Sequence, residues 1–183
     1  MADDDLGVEN AFTEGEYVKI IATDGTEAIF ILTDSSETAV DTGTVLDGSS
    51  DIGSGTPDAS LIADATCIAF RGNLNIHKQY QILNELKTAI LHTNSPLKDK
   101  ITAGANVGDT DGNVSIVFTQ ATMGASGNTT TTTNISQLTA ADFTGGTDDK
   151  VKTAERLFEP GLNFGASKGT TYEGSTIGRT NTS

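Results

Sequence analysis

The sequence predicts an α+β fold: a mostly antiparallel β-sheet packed against one main amphipathic helix, with extended N- and C-terminal arms. One long segment, residues 76–94, has the periodicity of a helix. Most other apolar runs are short and alternate with polar residues, as half-buried strands do. Turns rich in Gly, Asp and Asn separate these runs. We therefore expect an arm at residues 1–13, a domain at 14–147 and a second arm at 148–183.

The first predicted element after the acidic N-terminal arm is a β-hairpin. Val18 and Ile20 alternate with Tyr17, Lys19 and Ile21, and a fully apolar run follows from Ala28 to Leu32. Asp24-Gly25 lies between the two runs, and this pair suits the positive-φ backbone of a two-residue turn. Because both faces of the second run are apolar, we expect it to be central in the sheet or covered on both sides.

A region rich in Ser, Gly, Thr and Asp follows the first hairpin. Residues 38–46 are compatible with a strand, whereas Asp47–Pro57 consists mainly of Gly, Ser and Asp and predicts an exposed loop. A short apolar strand, Ala65–Phe70, then leads into the helix. This strand contains Cys67, the single cysteine of the chain. One cysteine excludes an intrachain disulfide framework, and its apolar neighbours predict a buried structural thiol.

The helix predicted at residues 76–94 places its apolar side chains on one face. Asn73 or Asn75 is a candidate N-cap, and Ser95-Pro96 is expected to end the helix. The stripe must be buried, and the flanking strands are the candidates for its partner; docking on another protein is the alternative. The stripe consists of Ile76, Leu83, Leu86 and Ile90, widened by Tyr80, Ile82 and Ala89.

A second hairpin and an extended segment complete the predicted domain. Strands at residues 101–107 and 114–120 flank a turn at Asp109–Asn113, and a threonine-rich strand starts at Thr129. Alternating Asp and Asn in the turn are compatible with a Ca²⁺ loop. The sixth position is Val114 instead of glycine and the twelfth is Gln120 instead of glutamate, so a solvated turn is the favoured interpretation.

Composition limits the partners and the chemistry. The chain has 183 residues, 36% hydrophobic and 5% aromatic, so stability is expected to depend partly on oligomerisation or docking. A formal net charge of −14 argues against nucleic acid and anionic membranes as partners. No segment has the length of a membrane span or the form of a signal peptide, so synthesis in a cytoplasm is expected.

The sequence contains no recognisable catalytic or cofactor-binding motif. His77 and His92 lie near opposite ends of the predicted helix, too far apart for paired metal ligation, and a structural role is expected for both. Gly165–Thr170 has the composition of a phosphate-binding loop without its Gly-Lys-Ser/Thr order. We therefore predict a chain with no catalytic residues, no metal site and no cofactor; a free enzyme ranks third, after the two structural hypotheses given below.

Three short segments resemble a module of structural proteins in tailed bacteriophages. In that module a helix with an Ala/Ile end precedes a strand ending in Thr-Gln, then a Gly-Asn-Thr-Thr segment, then a closing Phe-x-Gly-Gly. The resemblance spans residues 16–146. Thr131 departs from it, because that position in the module is often apolar. The matching residues here are Val117–Gln120, Gly124–Thr130 and Phe143–Gly146.

The resemblance implies a non-enzymatic virion component. The first hypothesis is a capsid decoration, or cement, protein on the outer shell, which binds the major capsid protein and neighbouring copies of itself. A homo-oligomer is compatible with this, and a trimer suits threefold positions. Phe158, Phe164 and Tyr172 are the candidate anchors in the C-terminal arm. The second hypothesis is a tail, neck or fibre component that uses Asp47–Pro57 for recognition.

Overall fold

The computed structural model describes residues 12–37, 40–74, 79–107 and 114–147. The predicted arms, apart from Phe12 and Thr13, lie outside these residues. In chain order the elements are β1 (Tyr17–Ile21), β2 (Glu27–Asp34), β3 (Val45–Leu46), α1 (Ala59–Asp64), β4 (Thr66–Gly72), α2 (Gln79–Ile90), β5 (Ile101–Val107), β6 (Ser115–Gln120), a 3₁₀ turn (Ala125–Gly127) and β7 (Thr132–Thr133).

The predicted α+β class is confirmed in the described residues. Five strands form one sheet in the order β3-β4-β2-β1-β7, and β5 and β6 form a separate two-stranded sheet. The β2–β4 pair is parallel and the remaining pairs are antiparallel. Strand β2 is central and buried along nearly its whole length, as its two apolar faces predicted.

Helix α2 covers one face of the large sheet. It buries Ile82, Leu86, Ala89 and Ile90, while Phe30 and Phe70 lie beneath them with no exposed surface. The predicted stripe is therefore core at these four positions, and Leu83 packs against the cluster while partly buried. Ile76 lies outside the described residues. Phe12, at the end of the predicted arm, also packs against this cluster.

The helix ends earlier than the sequence predicted. Its last residue is Ile90, and the His92 N–H donates to the carbonyl of Ala89, a tighter turn than the α-helical one. Side chains beyond this turn bind another segment. The Asn94 amide donates to the carbonyl of Gly43, and the ring of His92 packs on Gly43. These contacts hold the turn that follows Ile90, so the helix ends before Ser95-Pro96.

The other face of the large sheet is covered by residues 40–65. Ile52 packs with Leu46 against Ile29 and Ile31, and it is almost fully buried. The prediction of a wholly exposed loop at Asp47–Pro57 was therefore wrong at Ile52 and at Pro57, which is also buried. The single isoleucine among small polar residues anchors the loop on the sheet.

Two short elements in this region also differ from the prediction. Within the expected strand at 38–46, the residues paired as a strand with β4 are Val45 and Leu46, and Gly43 and Thr44 add backbone hydrogen bonds to Ala69. Helix α1 was not predicted. Its N-cap is Asp58, whose carboxylate accepts the N–H of Ser60 at 2.7 Å.

The first hairpin has a longer turn than the predicted Asp24-Gly25 pair. The Ala22 N–H donates to the carbonyl of Thr26, so the turn comprises Thr23, Asp24 and Gly25, with Gly25 at a φ of 86°. A glycine in this left-handed conformation is typical of such hairpins. The ammonium of Lys100 and the N–H of Thr26 bind Asp24 and hold the pKa of its carboxyl well below the usual range.

Cys67 is buried in β4, as predicted, with 1% of its surface exposed. Burial raises the pKa of its thiol to about 11, so the nucleophilic thiolate is scarce at neutral pH. We expect the folded protein to react with a thiol-specific dye at about pH 8 at least ~100-fold more slowly than the denatured chain. Equal rates in the two states would contradict this placement of Cys67.

Candidate functional site

Several residues singled out in the sequence lie outside the described residues. These are the anchors Phe158, Phe164 and Tyr172, the calcium-like turn Asp109–Asn113, and His77. Their assignments stay predictions. The described part of the chain contains no group of three or more His, Cys, Asp or Glu side chains placed to hold a metal ion. In the same part, no helix is long and apolar enough to span a membrane.

The described histidine, His92, has structural contacts. Its Nδ1 accepts the N–H of Asn94 at 3.2 Å, and its ring occupies the space where a side chain at Gly43 would stand. Gly43 has a φ of 92°, a backbone conformation that favours glycine. His92 therefore holds the α2–β5 connection against the segment before β3.

A small apolar cavity lies between the start of α2 and the segment after β7. Its volume is about 50 Å³, and Phe12, Leu83, Ile135 and Leu138 contribute to its lining. Typical small-molecule sites are larger, from about 300 Å³ upward. The cavity therefore has room for water-sized occupants and not for a substrate or cofactor.

Charge is distributed unevenly along this acidic chain. The sequence carries 25 acidic and 11 basic residues, yet no Asp, Glu, Lys or Arg occurs from Ile101 to Val107 or from Val114 to Ala141. This uncharged part contains both strands of the second hairpin. Most surfaces of a protein with a net charge of −14 repel a second acidic protein, whereas an uncharged surface does not.

The outer side of the second hairpin forms an exposed uncharged face. Thr102 lies opposite Thr119 and Val107 lies opposite Ser115, so the pairing register places these side chains on the side of Val117. Val107 and Val117 are 63% and 64% exposed. We call this surface the neutral face; it comprises Thr102, Val107, Ser115, Val117 and Thr119.

The inner side of the hairpin is fixed to the domain. Ile101 is buried, and Phe118 packs against the core cluster. On α2, Lys87 Nζ donates to the carbonyl of Gly104 at 3.0 Å, while Asn84 Oδ1 accepts the side-chain amide of Asn106 at 2.8 Å. The neutral face is therefore presented by a hairpin held on the main helix.

Gln120 joins the end of this hairpin to the first hairpin. Its Oε1 accepts the N–H and the hydroxyl of Thr23 at 3.0 and 3.1 Å. Its Nε2 donates to the carbonyl of Ile21 at 2.9 Å and to Thr129 Oγ1 at 3.1 Å. The Thr129 hydroxyl in turn donates to the Ile21 carbonyl at 2.6 Å. Three separate segments thus meet at one side-chain amide.

The two glycine-containing segments of the resemblance also meet in space. The Asn128 amide accepts the Gly146 N–H at 2.8 Å and donates to the Gly146 carbonyl at 3.0 Å. A Cβ on Gly146 would lie 2.3 Å from the carbonyl oxygen of Gly124, so this position is closed to larger residues. Phe143 N–H donates to the carbonyl of Thr129. These contacts hold the two segments of the resemblance together in the folded domain.

The Asp47–Pro57 loop is held in a defined shape by Glu14. The Glu14 carboxylate accepts the N–H of Asp34 at 2.7 Å and the N–H of Ser54 at 2.5 Å. Together with the buried side chain of Ile52, these bonds fix a loop whose residues are mostly exposed. The loop presents Ser and Asp side chains to solvent in fixed positions.

Comparison with protein-family models, with curated proteins and with solved structures finds no match to this chain. The candidate site is therefore defined by its own geometry. The neutral face was not singled out from the sequence, although the charge-free run that forms it is visible there. Strand alternation places every second residue of that run on the outside.

Proposed function

We propose that this chain is a non-enzymatic structural protein of a virus particle, and specifically a capsid decoration protein. The neutral face is the observation that carries the proposal. It provides an uncharged, β-branched and threonine-rich contact surface on an otherwise acidic protein, rigidly mounted on α2. The resemblance of three segments to the bacteriophage module supports the virion as its location.

The neutral face would dock on the major capsid protein and bury Val107 and Val117 there. Protein interfaces are depleted of charge at their centre and rely on apolar and hydrogen-bonding contacts. Binding of many copies to the assembled shell, and not to its dissociated subunits, would stabilise the shell by linkage. The acidic remainder of each copy would then face solvent and keep decorated particles apart.

Val107→Lys is expected to weaken binding to undecorated particles by at least about tenfold, because a charge would be buried at the contact. Binding is measured by co-sedimentation of the purified protein with particles that lack it. Val45→Lys is the matched control: it places the same side chain at a 50% exposed valine on β3 and should bind like the parent chain. An equal loss of particle binding in both variants would show that the neutral face is not the docking surface.

The C-terminal residues provide a second, independent contact in this proposal. A chain that ends at Asp149 lacks Phe158, Phe164 and Tyr172, and we expect it to fold and to lose particle binding. Circular dichroism checks folding, and co-sedimentation checks binding. If the shortened chain decorates particles as well as the full chain does, these aromatic residues are not anchors.

A tail, neck or fibre component is the second candidate, and the fixed Asp47–Pro57 loop favours it. Glu14 and Ile52 hold this exposed loop in one conformation, as recognition of a host surface would require. Replacement of Ser49 and Ser54 by bulky residues should then reduce adsorption of particles to host cells. A decoration protein would tolerate both changes.

A further inference from the structure

Strand β6 has an open edge on the side away from β5. The Ala121 N–H donates to the carbonyl of Lys100 at 2.8 Å, and the carbonyl of Thr119 lies 3.4 Å from Thr102 Oγ1, so both residues direct their backbone towards β5. Backbone groups alternate in direction along a strand. Those of Ile116 and Phe118 therefore point to the opposite side, where the described residues provide no hydrogen-bond partner.

The other strand edges in the described residues are short or interrupted. Edge strands β3 and β7 have two residues each. Strand β5 has a register shift between Ala103 and Asn106, and such irregularities discourage pairing with further strands. Strand β6 has six residues, five of which pair with β5, and it contains no charge and no proline. Within the part of the chain that the structure describes, β6 therefore lacks the charges, prolines and covering segments that usually protect an edge from pairing.

We propose that β6 pairs antiparallel with β6 of a second copy of this chain, so that two hairpins form one four-stranded sheet. Charge identifies the occupant. A basic partner would be attracted by the acidic surface and would need no uncharged edge. An uncharged edge removes local repulsion towards a partner that also carries a net charge of −14, as a second copy does.

The pairing has a definite geometry. Two identical antiparallel strands in one sheet are related by a two-fold axis perpendicular to that sheet. Both neutral faces then lie on the same side of the four-stranded sheet, so the dimer can apply both of them to one surface. The outward backbone groups of Ile116 and Phe118 gain partners. The dimer does not depend on the virion assignment, and either proposal can fail alone.

Sedimentation equilibrium of the full chain at about 50 and about 500 mM NaCl tests the dimer. Screening of the repulsion between two acidic copies should make the dissociation constant at least about threefold smaller at the higher salt concentration. Val117→Lys should raise this constant by at least about tenfold, although it lowers the net negative charge. Val45→Lys should leave the constant within about twofold of the parent value.

Amide hydrogen exchange by NMR distinguishes edge pairing from association through another surface. Between monomeric and dimeric concentrations, the amides of Ile116 and Phe118 should become at least about tenfold better protected, while that of Val45 should not change. The proposal is overturned by a chain that stays monomeric at both salt concentrations. It is equally overturned by a dimer that Val117→Lys leaves intact, or by a dimer without new protection at Ile116 and Phe118.

Discussion

Replacement of Phe30 by alanine is expected to lower the free energy of unfolding by about 4 kcal/mol. Phe30 lies in the central strand β2, has no exposed surface, and belongs to the cluster covered by α2. Removal of the ring loses the stabilisation from burying its apolar surface. It also leaves a cavity that the paired neighbours β1 and β4 cannot close. Urea unfolding followed by circular dichroism measures the loss.

Phe12→Ala is the matched control for this prediction. Phe12 is partly buried at the margin of the same cluster, so its removal should cost about 1 kcal/mol. If the two variants lose equal stability, the core is not centred on β2. A Phe30→Leu variant should recover most of the loss, because it restores apolar volume at the same place.

Replacement of Gln120 by leucine is expected to cost about 3 kcal/mol, although the two side chains are similar in size. The change removes the acceptor of the Thr23 N–H and hydroxyl, and it removes the donor to Ile21 and Thr129. A partly buried N–H without a partner costs more than the net value of one hydrogen bond. Because this amide connects the two hairpins, hydrogen exchange should also quicken at Thr23.

Gln137→Leu is the control, because it makes the same change from glutamine to leucine at an exposed position. Gln137 is exposed, and its substitution should change stability by less than about 0.5 kcal/mol. A Gln120→Glu variant adds a further comparison: the carboxylate can still accept from Thr23 but cannot donate to Ile21. A result in which Gln120→Leu is as stable as the parent chain would show that the network contributes nothing.

The sequence predicts the structural role of Phe30 but not that of Gln120. Phe30 lies in a run that is apolar on both faces, and this pattern by itself places β2 in the centre of the sheet. Gln120 is an ordinary polar residue at the end of an alternating strand. Its role arises because Thr23 and Ile21, 97 and 99 residues away, converge on it together with Thr129, nine residues away. Such convergence depends on tertiary structure and leaves no local pattern.

The same contrast applies to the loop before β4 and to the candidate site. A glycine- and serine-rich composition predicts exposure, and one isoleucine, Ile52, is enough to anchor such a segment on the sheet. The neutral face follows from two facts readable in the sequence, the charge-free run and the alternation of β6. Their significance requires the register that places Val107 and Val117 on one exposed side.

The copy number of this chain in purified virus particles, relative to the major capsid protein, tests the central proposal most directly. Quantitative mass spectrometry with isotope-labelled peptides from both chains provides the ratio. The decoration proposal predicts about one copy per capsid subunit, or a simple fraction set by the lattice. A count of about three to a few dozen copies per particle would place the chain in a tail, neck or fibre. Absence from the particle would contradict the proposed function.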